Sequence, residues 1–270
     1  MMKRLAMYWT FVIAVVLLGC SATIPSVQSD KPVKVFLLGG QSNMVGADTA
    51  AKLKPPYNEP FSKVKIWQPQ EMQWEPLSPE VVNTQGRFGP EIYFGHTIAK
   101  ACPGDDIRLV KYASSGTALY DDWSPTVGGA QYVSFMSITK AALTDLESDG
   151  VDYEISGMLW LQGESDAHEK KAETYEKNLT EFISHMRAEF KTPDMPFIIA
   201  RVRSYYGGET GQAKIVRNAQ VKIAESGQNV TWFDTDDFTM FNEGHYDANG
   251  LADIGTRFAE KYLEIAGNKE

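Results

Sequence analysis

Cysteine is scarce: there are two in 270 residues, Cys20 and Cys102. That excludes a small fold stapled by disulfides, and the fold must rest on an ordinary core. Basic residues are outnumbered, 26 against 35 acidic, for a net charge of -9. Such a balance argues against a nucleic-acid partner, because neutralising phosphates requires a basic face. Histidine is also rare, with four residues (96, 168, 185 and 245), none beside a Cys or another His at metal-ligand spacing. No metal site and no cofactor signature is read. Long apolar runs are absent beyond residue 18, and neither an internal repeat nor an interdomain linker is visible.

What is present begins with a leader. Lys3 and Arg4 precede an uncharged apolar stretch over residues 5–18, followed by Leu17-Leu18-Gly19-Cys20. A spanning helix needs about 20 apolar residues, so this stretch reads as an export signal over residues 1–19. The four residues ending at Cys20 resemble the bacterial lipobox, which implies cleavage before Cys20 and acylation of its thiol. The segment 20–32 is rich in Ser, Pro and Gln and reads as a tether. The expectation is an exported bacterial lipoprotein facing the periplasm or cell surface, with Ser21 after the acylated Cys favouring the outer membrane.

From residue 33 to 266 apolar runs alternate with helical stretches. Runs at 33–38, 63–67, 107–112, 153–162, 197–202 and 230–234 have the length and β-branched content of strands buried on both faces. Segments 90–100, 131–146, 169–190, 212–226 and 248–265 read as helices. This alternation predicts one three-layer α/β/α domain around a central parallel sheet. The Pro- and Trp-rich stretch 47–89 reads as an irregular excursion. Ligand sites in such sheets lie beyond the carboxyl ends of the strands, and four segments there bear unusual residues.

The first is Gly39-Gly40-Gln41-Ser42-Asn43-Met44. It places a Ser on a tight turn at a helix start, where backbone N–H groups favour a developing oxyanion. An N-cap role for Ser42 explains the same pattern equally well. The second, Ala113-Ser114-Ser115-Gly116-Thr117, is a small-residue turn that admits close approach of a ligand to the backbone. The third runs Trp160-Leu161-Gln162-Gly163-Glu164-Ser165-Asp166. Here a buried strand ends in an amide that needs partners, and Asp166 reads as a cap for the next helix. In the fourth, Asn242-Glu243-Gly244-His245-Tyr246-Asp247, His245 lies outside any helix, unlike His96, His168 and His185.

Together these segments resemble the SGNH hydrolases, and among them the carbohydrate acetylesterases grouped with sialate O-acetylesterase and the acetylxylan esterases of carbohydrate esterase family six. The matching stretches are GQSNM (40–44), FGPE (88–91), SSGT (114–117), WLQGESD (160–166) and His245, spanning roughly 33–265. The resemblance implies a flavodoxin-like α/β/α fold and cofactor-free removal of acetyl groups from O-acetylated oligo- or polysaccharides. By position, Ser42 is the nucleophile and His245 the base. The N–H groups of Ser42 and Gly116 and the side-chain amide of Gln162 hold the oxyanion, and Gln41 and Asn43 are further binding candidates.

The chain departs from that pattern at one point. Many SGNH enzymes carry an Asp three residues before the His, and here the position is Asn242. Glu164 is the favoured replacement for the missing acid; Glu243, Asp247 or a Ser–His dyad are the alternatives, and Asp236 and Asp237 are read as structural. Two further functions compete. A non-catalytic surface carbohydrate-binding lipoprotein is suggested by Asn242 and by Trp67, Trp74, Trp123, Tyr205 and Tyr206, although packing accounts for most of those aromatics. A lipid or thioester hydrolase would suit the anchor, but it requires a continuous apolar groove that the sequence does not show.

Overall fold

Alternating side chains on the central strand explain the layering. In strand β1 (Val33–Gly40), Val33, Val35 and Leu37 enter one core cluster, while Phe36 and Leu38 enter a second on the opposite face. A strand so apolar on both faces must be covered twice. The computed structural model describes residues 31–82, 86–203 and 211–267. The lipobox, Cys20, most of the tether, Tyr205 and Tyr206 lie outside them.

The main sheet also contains β2 (Phe61–Gln68), β3 (Gln73–Leu77), β4 (Ile107–Ala113), β5 (Tyr153–Leu161), β6 (Phe197–Ala200) and β7 (Val230–Phe233), in the order β3-β2-β4-β1-β5-β6-β7. All neighbours are parallel except β2 and β3. A separate hairpin pairs β8 (Met240–Asn242) with β9 (His245–Tyr246). The helices are α1 (Ser42–Val45), α2 (Pro79–Val82), α3 (Glu91–Ala101), α4 (Ala130–Ser148), α5 (Glu169–Glu189), α6 (Gly211–Ser226) and α7 (Ala248–Gly267). Residues of α4, α5 and α6 fill the first cluster, and α3 and α7 fill the second. The result is the expected three-layer α/β/α sandwich.

Strand β3 corrects the reading of 47–89 as irregular, and it makes the sheet mixed. Its sequence, QWEPL, alternates weakly and contains Pro76. An edge strand tolerates proline because one row of its N–H groups has no partner to lose. Tertiary contacts hold it: Trp74 lies opposite Trp67 with ring centroids 5.3 Å apart, and the Arg108 guanidinium sits 5.2 Å from the Trp74 ring. Trp67 and Trp123 are buried, so neither is a surface sugar platform.

Connections from β1 pass over β4 to β2, and from β4 over β1 to β5. The crossovers therefore diverge at β1, and its carboxyl end is the topological switch point where ligands bind in open α/β sheets.

Candidate active site

Strand β1 ends in Gly39-Gly40, and its backbone runs tightly against β5: a Cβ on Gly40 would meet the Leu161 carbonyl oxygen at 2.2 Å. Only glycine lets the chain leave the sheet here. Gln41 keeps one more bond to that carbonyl, at 3.1 Å, and Ser42 opens the single-turn helix α1. The hairpin β8–β9 brings His245 over this turn, with Nε2 3.0 Å from Ser42 Oγ.

His245 is held by Asn242, whose Oδ1 lies 3.1 Å from Nδ1. The same oxygen accepts the backbone N–H groups of Gly244 at 2.9 Å and His245 at 3.0 Å. The two backbone donors converging on it fix the amide's orientation, because the NH2 end would oppose both of them. Nδ1 therefore carries the proton, and Nε2 is left as the acceptor facing Ser42. Burial, and next the positive charge of Arg87, depress the His245 pKa below its ordinary value.

Glu164 corrects the expectation that it serves His245. Its Oε2 accepts from Gln41 Nε2 at 2.6 Å and its Oε1 from Asn43 Nδ2 at 2.8 Å, so the carboxylate clamps the residues on either side of Ser42. Burial raises its pKa. The reason is positional: Glu164 follows β5, directly beneath the turn leaving β1, whereas Nδ1 of His245 is met from its own hairpin.

Asn43 extends the clamp. Its Nδ2 also donates to the Gly244 carbonyl at 3.1 Å, and its Oδ1 accepts the Tyr246 N–H at 3.2 Å. One side chain thus ties the Ser42 turn to the backbone on both sides of His245. Ser165 Oγ donates to Gln41 Oε1 at 2.9 Å. Gln41 and Asn43 are buried supports of the turn, with their polar atoms already engaged.

Gln162 is a second correction. Its amide is fully buried and donates to the Thr117 carbonyl at 3.0 Å and to Asp166 Oδ2 at 2.7 Å, so neither hydrogen is free for an oxyanion. Alternation along β5 sends Gln162 to the side of Trp160, towards α5 and α6, where it meets Tyr175. Asp166 does not cap α5: His168 holds the N-cap position, and Asp166 accepts from the loop after β4 instead.

Gly116, with φ of +72°, faces the site together with Ser115. Among the described residues, neither the Ser42 N–H nor the Gly116 N–H has an acceptor. FGPE proves structural: Glu91 Oε1 accepts the Gly89 N–H at 2.9 Å, and Oε2 meets Lys111 Nζ at 2.6 Å. Lys111 in turn reaches the Val45 carbonyl at 3.3 Å, bracing the end of α1.

The cavity over Ser42 and His245 measures about 670 Å³. Arg87, His168 and Phe241 also line it, and none of the three is singled out by the sequence as a site residue. Arg87 directly precedes FGPE and Phe241 directly precedes Asn242, so adjacency to a motif is the available signal. His168 is masked by its place at a helix start. A larger cleft of about 850 Å³ lies at the amino ends of β1, β5 and β6, lined by Lys34, Tyr153 and Pro196, and no histidine is among its described lining residues.

A doubly covered sheet with a Ser–His pair at the carboxyl end of its central strand fits the SGNH-type arrangement that the sequence resemblance implies. Residues 32–264 match the family described as carbohydrate esterase, sialic acid-specific acetylesterase, and the chain belongs to that family. It is thus a carboxylic ester hydrolase. A probable carbohydrate esterase of Arabidopsis thaliana is 28% identical over 260 residues, covering 88% of this chain and 94% of the relative. An X-ray structure of an Arabidopsis thaliana protein superimposes with a TM-score of 0.72 at 26% identity, over 87% of this chain and 99% of the other. The fold is shared with a carbohydrate acetylesterase from Xanthomonas citri (TM-score 0.63, 20% identity, 87% and 57% of the two chains). It is shared also with NanS (TM-score 0.65, 15% identity, 89% and 99%).

Proposed function

We propose that the protein removes O-acetyl groups from carbohydrates through an acyl-enzyme on Ser42, with His245 as general base. The observation supporting this most directly is the 3.0 Å approach of His245 Nε2 to Ser42 Oγ. In the proposed reaction His245 takes the Ser42 proton as Oγ attacks the ester carbonyl, then gives it to the departing sugar hydroxyl. Water, activated by the same imidazole, releases acetate. The N–H groups of Ser42 and Gly116 hold the oxyanion, each worth roughly 3–4 kcal/mol in the transition state.

Asn242 orients the imidazole and fixes its tautomer but supplies no negative charge to the imidazolium. In a serine protease the comparable Asp-to-Asn change costs about 10⁴-fold, largely through the wrong tautomer. Here the tautomer is right, so the penalty is the electrostatic part alone. A sugar is favoured as the alcohol because the cavity wall is polar, with Gln41, Ser115, Ser165 and Arg87, and the exposed ring of Phe241 beside His245 suits stacking on a pyranose. Cys20 is proposed as the acylated residue that holds the enzyme at a membrane; mass spectrometry of the mature N-terminus tests this.

The deciding experiment is hydrolysis of 4-nitrophenyl acetate and acetylated xylan by wild type, Ser42→Ala and His245→Ala. Turnover that depends on both residues supports the esterase. Absence of Ser42-dependent turnover on either substrate overturns it in favour of a carbohydrate-binding lipoprotein with an esterase fold.

A further inference from the structure

Asp166 is buried, yet its carboxylate meets only neutral donors. Oδ2 accepts the Leu119 N–H at 2.7 Å and Gln162 Nε2 at 2.7 Å, and Oδ1 accepts the Tyr120 N–H at 3.0 Å. Burying a carboxylate costs free energy that its hydrogen bonds must offset. It caps no helix, and the mechanism proposed above gives it no proton to move.

What these bonds hold is the loop after β4. Ser114 N–H is fixed to the Gly40 carbonyl at 3.1 Å, and the Thr117 carbonyl to Gln162 Nε2 at 3.0 Å. Within the loop, Thr117 Oγ1 donates to the Ser114 carbonyl at 2.7 Å and accepts from Trp123 Nε1 at 2.9 Å. Residues 114, 117, 119 and 120 are thereby pinned, and only Ser115 and Gly116 project freely into the cavity. Gln162 is itself locked from behind, its backbone carbonyl accepting Tyr175 OH at 2.8 Å and Gln220 Nε2 at 3.0 Å.

We infer that Asp166, acting with Gln162, is a positioning residue for the esterase: it sets the depth of the 115–116 arc and so aims the Gly116 N–H at the oxyanion on the Ser42 ester. This rests on the esterase reading above. It divides the polar residues of the Gln162–Asp166 segment between two tasks. Glu164 clamps the nucleophile turn, while Gln162 and Asp166 clamp the turn that faces it. A carboxylate suits the second task because it accepts along both oxygens. An Asn at 166 would put an NH2 group against a backbone or side-chain N–H, and one clamp would open.

The test compares wild type, Asp166→Asn and Gln162→Met, each confirmed folded by circular dichroism and normalised to active sites titrated at Ser42. For Asp166→Asn, kcat on 4-nitrophenyl acetate should fall at least tenfold while KM stays within threefold. The inhibition constant of an arylboronic acid, which forms a tetrahedral anion on Ser42, should rise by the same factor as kcat/KM falls. Gln162→Met should show the same pattern, weaker, and decides the matter if Asp166→Asn does not fold. A kcat within twofold of wild type in the folded variants overturns the inference. So does a loss of kcat without weaker boronate binding, which would indicate general loosening. Failure of the esterase reading looks different: wild type itself would then show no turnover beyond Ser42→Ala, and the inference would fall with it.

Discussion

The two halves of the Ser42–His245 pair are built differently. Ser42 stands just beyond the central strand of a seven-stranded sheet, over a buried carboxylate that grips both its neighbours. His245 stands on a two-stranded surface hairpin in which Phe241 and Asn242 are exposed. The nucleophile thus borrows its rigidity from the core. The base obtains its orientation from a local turn, three bonds to one amide oxygen, and from Asn43 reaching across. Tyr246 adds one deep anchor, its hydroxyl donating to Thr235 Oγ1 at 2.6 Å. A carboxylate under the nucleophile stabilises position; among the described residues none is hydrogen-bonded to the imidazole to stabilise charge.

Removing either reacting group makes the largest change. Ser42→Ala and His245→Ala are each expected to lower kcat about 10⁴-fold or more, measured on 4-nitrophenyl acetate. Equal losses would mark the pair as one unit in spite of their different foundations.

Supplying the missing charge comes next. Asn242→Asp keeps every acceptor bond, because an Asp oxygen accepts the same three N–H groups. It should raise kcat/KM by roughly 10–100-fold, a part of the effect seen when a triad acid is altered. The pH profile gives the sign. The base works only when neutral, so activity is lost as pH falls through the His245 pKa, which burial and Arg87 hold below the ordinary value. The carboxylate introduced by Asn242→Asp would stabilise the imidazolium and move the acid limb to higher pH. An unmoved limb would show that residue 242 does not face the working imidazole.

Loosening the rigid half should matter less. Glu164→Gln turns an N–H towards the amide of Gln41 or Asn43 and leaves one donor unsatisfied. The expected cost is about 1–3 kcal/mol of stability by denaturant unfolding, with a fall in kcat of about tenfold. A collapse comparable to His245→Ala would mean that Glu164 reaches the imidazole during turnover. The smallest effect belongs to Phe241→Ala, which should raise KM for an acetylated sugar a few-fold through loss of a stacking face. Retention of the wild-type KM would leave the hairpin as a carrier of His245 alone.

The parallel strands and main helices were legible because their apolar periodicity is strong and each buries a whole face. Strand β3 was not, since QWEPL reads as loop until Trp67 and Arg108 pack against Trp74. The GQSNM turn and His245 could be picked out by composition, yet their partners could not. Within one five-residue stretch, Gln162 and Asp166 turn to the loop after β4 while Glu164 turns to the residues around Ser42, and spacing alone does not say which goes where.

The sequence by itself therefore determined the α/β/α class, the strand ends where chemistry gathers, and the family to which the chain belongs, because patterning and motif spacing are local properties. Only the tertiary structure decided that Asn242 and not Glu164 meets His245, and that Gln162 faces inward. The placements of Glu164 and Gln162 and the meeting of Ser42 with His245, 203 positions apart, depend on which elements the sheet order brings together, whereas the Asn242–His245 bond closes within one hairpin. A hydrogen bond reaches about 3 Å whatever the separation along the chain.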